Sequence, residues 1–98
     1  MNTNEHLLVC LSEEATEVSQ IVDKALRFGL DYRNVLNPTG PTNRERLIEE
    51  LNDLQAVINM LINQGLLPDN WWDAEKQKAK CEKVFKFMLY AREKGTLI

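Results

Sequence analysis

Apolar residues recur every three or four positions in three long stretches of the chain, about residues 4–28, 43–64 and 71–94. A step of three or four places side chains on one face of an α-helix, whereas strict alternation would indicate a strand. No stretch alternates in that way. With 98 residues available, the pattern predicts one all-α domain, residues 1–98, folded as a helical bundle of three long helices.

Each predicted helix has an apolar stripe. The first stripe consists of Leu7, Leu11, Ala15, Val18, Val22 and Ala25, widened by Leu8 and Leu26. The second consists of Leu47, Leu51, Leu54, Ile58 and Leu61, and the third of Gln77, Cys81, Val84, Met88 and Ala91. The first stripe keeps its phase through Ser12, which favours one continuous helix. The alternative is a short LLVCL strand followed by a helix that Ser12 caps.

The predicted helices are separated by residues that break regular structure. Gly29 is expected to end the first helix, and Gly65 and Pro68 to end the second. Thr42 and Glu45 form a capping-box pattern at the start of the second helix, and Asn70 or Asp69 is expected to cap the third. The connection GLDYRNVLNPTGP, residues 29–41, is long for a compact domain, and connections of this length are often functional.

Charge and composition exclude several classes of function. The net charge is −3, which argues against general nucleic-acid binding, since that depends on a basic surface. No apolar run approaches the roughly 20 residues that span a bilayer, and the start MNTNEHLLVCL lacks the basic region of a signal peptide. Cys10 and Cys81 form no CxxC pair and fall at apolar helix positions, so we expect reduced core thiols in a cytoplasmic protein.

The size of the chain predicts self-association. A domain of this length buries only about two-thirds of the surface of its unfolded chain. Large apolar residues gather late in the sequence, namely Trp71, Trp72, Phe85, Phe87 and Met88. Oligomeric interfaces bury such residues, so we expect a homodimer or homotetramer.

Two acidic clusters stand out, EEATE at residues 13–17 and EELND at residues 49–53. Glu14 and Glu17 lie at the edge of the first apolar stripe, and Glu50 and Asp53 lie beside the second. If the two helices pack antiparallel, all four carboxylates can meet at the seam between them. Carboxylates gathered in this way need a cation. Mg²⁺ prefers hard oxygen ligands and commonly bridges to phosphates, so the pattern suggests metal-dependent phosphate chemistry.

The alternative is that these carboxylates are ordinary helix-rim residues paired with lysine or arginine. Arg46 precedes Glu50 by four residues, and Lys24 and Arg27 follow Glu17. Residues four apart on a helix lie close enough for such a pair. The spacing alone leaves both interpretations open.

The order and spacing of the two clusters resemble the MazG-type all-α NTP pyrophosphohydrolase superfamily, whose pattern is EExxE on one helix and ExxD on the next. The resemblance is to its short single-domain members, often encoded by bacteriophages, and extends through KALRFG to the tail KFMLYAREKGTL. It implies Mg²⁺-dependent hydrolysis of a nucleoside triphosphate to the monophosphate and pyrophosphate, with Mn²⁺ as a substitute metal. One departure is size: larger relatives have extra helices, so a second subunit is expected to complete the nucleotide pocket.

The resemblance also implies residue roles. The expected metal ligands are Glu14, Glu17, Glu50 and Asp53. Glu13 matches the first motif glutamate, a ligand or water-orienting base, and completes the expected catalytic set.

Cationic and aromatic residues are the candidates for substrate binding. We expect Lys24, Lys83 and Lys86 to contact the triphosphate and Tyr90 to lie near the base or ribose, although a run of lysines is also typical of a solvated helix face. Candidates for contact with the base are Tyr32, Arg33 and Asn34 in the long connection, and Trp71 and Trp72, for which packing is the alternative.

The same sequence is also compatible with two other functions. One is a nucleotide-binding protein that sequesters its ligand without hydrolysis, and the other is a structural helical oligomer with solvated acidic rims. The leading expectation is an enzyme acting on a nucleoside triphosphate in the cytoplasm, that of the host if a phage encodes it, without nucleic-acid or membrane partners.

Overall fold

The computed structural model of the protein describes residues 1–98 and contains three α-helices and no β-strand: α1 is Thr3–Phe28, α2 is Asn43–Asn63 and α3 is Ala74–Glu93. The all-α prediction is confirmed. The helix α1 runs unbroken through Ser12, so the alternative with an LLVCL strand is wrong. The chain divides into two compact units, Met1–Pro68 with α1 and α2, and Asp69–Ile98 with α3. The single-domain organisation and the oligomer stay predictions.

The helix ends follow local capping chemistry. The Thr42 side chain accepts a hydrogen bond from the Glu45 N–H and caps α2, as the capping-box pattern predicts. Gly29 ends α1 at φ 100°, a backbone conformation that L side chains rarely adopt. The predicted cap of α3 is wrong by several residues, because Asp73 accepts the hydrogen bond from the Lys76 N–H. Its carboxylate satisfies a free donor of the first turn and suits the helix dipole.

The helices α1 and α2 pack against each other as an antiparallel hairpin. Leu7, Ile21 and Leu61 are its buried apolar residues, and Leu61 is fully buried. Packing of this kind removes apolar surface from water and supplies most of the stability of amphipathic helices.

The packed faces are rotated from the predicted stripes. On α1 the structure exposes four residues of the predicted stripe: Leu8, Ala15, Val22 and Leu26. The strip that carries Cys10, Glu14 and Ile21 faces inward instead. On α2 Leu51 is exposed, whereas Arg46 and Glu50 are partly buried. The rotation therefore brings polar residues of both acidic clusters into the interhelical seam.

The connection between α1 and α2 is tied down by hydrogen bonds to the first turn of α2. The Asn43 backbone N–H donates to Tyr32 O over 3.1 Å, and the Arg44 N–H donates to Leu30 O over 2.9 Å. Asn43, which is only 5% exposed, also donates from Nδ2 to Gly29 O over 2.9 Å. Arg44 pairs with Asp31. The loop is thus held against the start of α2 by several hydrogen bonds.

The unit Asp69–Ile98 consists mainly of α3, none of whose residues is buried. Of the predicted stripe only Met88 and Ala91 are partly buried, and Cys81 is exposed. The expectation of a core thiol is therefore wrong for Cys81, whereas Cys10 is half-buried; both are free. Because α3 begins at Ala74, the two tryptophans precede the helix, and Trp72 is 58% exposed.

None of the three helices combines the length and apolar character needed to cross a bilayer.

Candidate metal and phosphate site

Three carboxylates from the two acidic clusters meet at the seam of the hairpin. Oxygen atoms of Glu14 on α1 and of Glu50 and Asp53 on α2 all lie within 4.8 Å of one another. Glu14 and Glu50 are partly buried and Asp53 is exposed. Convergence was expected of four carboxylates, and the structure brings oxygens of three of them together without Glu17. A bound metal stays a prediction.

Two oxygens of this trio have no protein partner. Glu14 Oε2 and Glu50 Oε2 are buried from solvent and form no hydrogen bond. Buried polar atoms in folded proteins are nearly always hydrogen-bonded, and an exception calls for a specific explanation such as an ion. Carboxylate oxygens are hard ligands of the kind that Mg²⁺ takes. The donor set thus fits a divalent cation.

The pKa of Glu50 is also affected by the neighbouring carboxylates. The Glu17 carboxyl, close enough to share a hydrogen bond with Glu50, raises the pKa of Glu50 from 4.5 to about 7. Burial and the charges of Glu17, Asp53 and Glu14 act in the same direction. Each of these causes penalises the ionised form. A cation bound at Glu50 would therefore displace the proton of this carboxyl group readily.

Glu14 shows a similar perturbation. Burial, then the charges of Glu17 and Asp53, a hydrogen bond with Glu17 and the charge of Glu13 raise the pKa of Glu14. The carboxylates of the two helices thus act on one another as a single cluster.

The other two predicted acidic residues lie beside the trio. Glu17 approaches Glu50 and lines an open cleft with it. Glu13 is exposed and lines, with Glu17, a shallow depression on the α1 surface. Glu17 is thus placed next to the trio, whereas Glu13 is placed one step outside it.

The structure offers no cationic partner to this cluster. Its two ion pairs are Arg33 with Glu45, at 3.7 Å, and Arg44 with Asp31. Neither involves the four predicted metal ligands. The helix-rim alternative, in which Arg46 pairs with Glu50, is not found in this structure.

A cleft of about 460 Å³ opens beside the carboxylates, with two basic residues among its lining. Lys24 comes from α1 and Arg46 from α2, and both face the same cleft as Glu17 and Glu50. Neither forms an ion pair. A cleft with ionisable oxygens and free cations can hold an anion through both a metal and direct charge contacts.

A smaller pocket of about 130 Å³ adjoins this cleft and shares Lys24 and Arg46 with it. Its other lining residues are Phe28, Tyr32, Asn34 and Asn43. Of the predicted base-contacting residues, Tyr32 and Asn34 line it and Arg33 does not. Arg33 Nε instead donates to Gly40 O over 3.1 Å, so its guanidinium holds the loop together.

The remaining predicted substrate residues belong to the unit Asp69–Ile98. Lys83 Nζ lies 5.9 Å from the centroid of the Phe87 ring, and Phe87 and Tyr90 pack at a centroid distance of 6.1 Å. Lys83 also lines a largely apolar groove on α3 with Val84. The roles of Lys83, Lys86 and Tyr90 toward a substrate stay predictions.

Among the residues that the structure places at the cleft and pocket, sequence reasoning missed Phe28, Asn43 and Arg46. Arg46 was considered only as an ion-pair partner, and Asn43 not at all. The signal was helical spacing, because Asn43, Arg46 and Glu50 follow one another at steps of three and four and so share one face of α2.

Comparison with known proteins gives limited guidance. No protein-family model matches the chain, and no solved structure matches it significantly. Flap endonuclease 1 from Pyrenophora tritici-repentis (strain Pt-1C-BFP) is 31% identical over 70 aligned positions, which cover 67% of this chain. The match spans only 18% of the length of that protein. It establishes similarity of a segment and no shared family.

Proposed function

We propose that the protein is a Mg²⁺-dependent nucleoside triphosphate pyrophosphohydrolase, converting a (d)NTP and water to the (d)NMP and pyrophosphate. The observation that carries the proposal is the meeting of Glu14, Glu50 and Asp53, of which Glu14 and Glu50 each have a buried oxygen without a partner. The resemblance to the MazG-type superfamily supports the same residues independently of the geometry.

The residues fit the metal that this chemistry uses. Glu14, Glu50 and Asp53 would hold Mg²⁺, or Mn²⁺ in its place, with Glu17 as the fourth carboxylate at the edge of the cleft. When bound, the metal would neutralise phosphate charge and make the α-phosphorus more electrophilic.

The chain's own side chains have distinct tasks in this proposal. Lys24 and Arg46 attract the triphosphate into the cleft and hold it in place. A carboxylate, Glu13 or Glu17, orients the attacking water toward the α-phosphorus. The water oxygen bonds to the α-phosphorus and its proton passes to that carboxylate, while the bond from the α-phosphorus to the α,β-bridging oxygen breaks and pyrophosphate leaves with that oxygen.

We also propose that the protein assembles at least as a dimer in the cytoplasm. The apolar residues of α3 support this, since Phe85 is 66% exposed and Leu89 59% exposed. Sedimentation at micromolar concentration should show a dimer or tetramer, and a stable monomer would contradict this part of the proposal.

The decisive experiment is product analysis. The protein is incubated with each common and modified (d)NTP and Mg²⁺, and nucleotides and pyrophosphate are resolved chromatographically. We expect monophosphate and pyrophosphate in equal amounts, and loss of both in Asp53→Asn. Glu82→Gln, which removes a carboxylate from α3, serves as the charge-matched control and should retain turnover.

The other outcomes assign the other functions. Mg²⁺-dependent binding of an unchanged nucleotide would identify a sequestering protein. Absence of any Mg²⁺-linked nucleotide binding would identify a structural helical protein. A branched DNA is included because of the flap endonuclease match, and cleavage of its strands without NTP hydrolysis would favour a nuclease.

A further inference from the structure

The geometry points to the small pocket beside the cleft as the place where the nucleobase of the substrate binds. This pocket is built by the end of α1, the loop that follows it and the first turn of α2. The inference rests on the proposed function, because it assumes that a triphosphate occupies the neighbouring cleft.

The first argument is position. Along the seam, the carboxylates of Glu14, Glu50 and Asp53 come first, the cations Lys24 and Arg46 follow, and the small pocket comes last. At 1.5 Å per residue, Asn43 in the pocket lies about 10 Å along α2 from Glu50. A nucleotide has the same order of parts: the phosphates at one end and the base at the other.

The second argument is the chemistry of the pocket walls. Phe28 and Tyr32 form a stacked aromatic pair with ring centroids 5.1 Å apart and an angle of 27° between the rings. Arg27 lies over the Phe28 ring, with Cζ 5.4 Å from its centroid. Aromatic side chains bind bases by stacking because every base has a π-face. The 130 Å³ space is small, as a pocket for a single flat group should be.

The third argument is the presence of free amide groups. Asn34 Oδ1 accepts the Leu36 N–H over 2.9 Å, which leaves the Asn34 Nδ2 without a protein acceptor. Asn43 Nδ2 donates to Gly29 O, which leaves the Asn43 Oδ1 without a protein donor. The pocket thus presents one donor and one acceptor, which is the pair that the edge of a base can satisfy.

The fourth argument is rigidity. The hydrogen bonds from Asn43 and Arg44 to backbone oxygens of the loop hold the pocket in shape before any ligand arrives. Gly40 closes the turn that follows, where an added Cβ would lie 2.8 Å from Asn37 Cγ and 3.1 Å from Asn37 O. When a pocket is preformed, less binding free energy is lost to ordering its residues.

The test separates base binding from phosphate binding. Calorimetry measures the affinity of the protein for α,β-methylene analogues of the (d)NTPs and for inorganic tripolyphosphate, both with Mg²⁺. In the natural protein we expect at least one analogue to bind about fivefold or more tighter than tripolyphosphate, as stacking on one aromatic residue would give.

Two variants remove the pocket's contacts and one controls for the loop. Tyr32→Leu removes the stacking ring, and Asn34→Asp keeps the acceptor for the Leu36 N–H while removing the free donor. Both should reduce the preference for the analogue to below about twofold and leave the effect of Mg²⁺ on tripolyphosphate binding intact. Val35→Ala, at an exposed loop position outside the pocket, should keep the full preference.

Each result decides between the two proposals. Equal affinity for analogues and tripolyphosphate in the natural protein, or an unchanged preference in both pocket variants, would overturn the base pocket and leave the phosphate site standing. If neither ligand binds in a Mg²⁺-dependent way, the proposed function itself is wrong and the base pocket is overturned with it.

Discussion

The two ends of the seam between α1 and α2 differ in whether their buried polar groups are hydrogen-bonded. At the carboxylate end, Glu14 Oε2 and Glu50 Oε2 are buried without a partner. Burial chiefly raises the pKa of Glu14 and a hydrogen bond with Glu17 chiefly raises that of Glu50, and neighbouring charges add to both. At the loop end, Thr42 caps α2 and Asn43 bonds to Gly29, so buried donors find acceptors. One end weakens the ligand-free fold and the other stabilises it.

The difference separates Thr42, whose side chain serves the fold, from Glu14 and Glu50, whose unpaired oxygens suit a ligand. An unpaired buried charge costs folding free energy, so its presence is accounted for by something that binds there. A satisfied hydrogen bond needs no such partner. Substitutions at the two ends should therefore move activity and stability in opposite directions.

The largest effect is expected from Glu50→Gln. Loss of one ligand should lower turnover at least about 100-fold, the upper end of the loss seen when groups supporting a metal ligand are removed. The melting temperature without Mg²⁺ should stay unchanged or rise, because a neutral amide relieves the repulsion from Glu14, Glu17 and Asp53. Steady-state kinetics and thermal melts measure the two effects. A large drop in melting temperature would make Glu50 a structural residue.

The next effect concerns the lysines of α3. Lys83→Ala or Lys86→Ala should lower kcat/KM at least about 10-fold if these residues hold the triphosphate, which corresponds to about 1.4 kcal/mol. Lys78→Ala is the control, because Lys78 lies about 140° around α3 from Lys83. Equal, small effects in all three variants would leave Lys24 and Arg46 as the phosphate-binding cations and confine the site to the hairpin.

A smaller effect is expected at the loop end from Thr42→Ala. Removing the side chain that caps α2 should lower the free energy of unfolding by about 1 kcal/mol, or roughly 4–8 °C in melting temperature. The kcat of the folded fraction should be unchanged, because Thr42 contacts neither the cleft nor the carboxylates. Thr42→Ser keeps the cap and should restore the melting temperature. A fall in kcat without loss of stability would break the contrast between the two ends.

The smallest effect is a pH dependence of the metal-free protein. Because the pKa of Glu50 rises on folding, from 4.5 to about 7, the folded state holds its proton over a range where the unfolded state has lost it. The contribution of Glu50 to stability is thus present below pH 4.5 and lost as the pH rises to about 7. Melts from pH 5 to pH 8 should show a steeper decline in the natural protein than in Glu50→Gln. Parallel declines would mean that Glu50 does not titrate in this range.

Much of the architecture could be predicted because it depends on local patterns. Helical periodicity located α1 and α2, and the pairing of Thr42 with Glu45 located the start of α2. The rotation of the packed faces could not be predicted, because it depends on how the two helices pack against each other. Glu14 faces inward as a result of that packing, which has Ile21 and Leu61 at its core. The predicted stripe of α2 included Leu51 and placed Glu50 beside it at the seam, whereas in the structure Leu51 is exposed and Glu50 is partly buried.

The small pocket was out of reach of sequence reasoning for a different reason. Its walls come from the end of α1, the loop and the first turn of α2, and the hydrogen bonds of Asn43 and Arg44 with loop oxygens bring them together. No periodic pattern encodes a loop conformation. The length of the connection and the candidates Tyr32, Arg33 and Asn34 were the available signals, and the structure places Tyr32 and Asn34 at the pocket.

The hairpin that carries both pockets also has a consequence for how the protein is made. The carboxylates, the two cations of the cleft and the lining residues of the small pocket lie between residues 13 and 53, in two neighbouring helices and the loop between them, whereas the predicted substrate residues Lys83, Lys86 and Tyr90 lie on α3. Contacts between segments close in sequence form quickly, which is why helical proteins with such topology fold fast. A ribosome releases the chain from its N-terminus at about 5–20 residues per second. The residues of the hairpin are thus released before those of α3, and their contacts are local in the sequence.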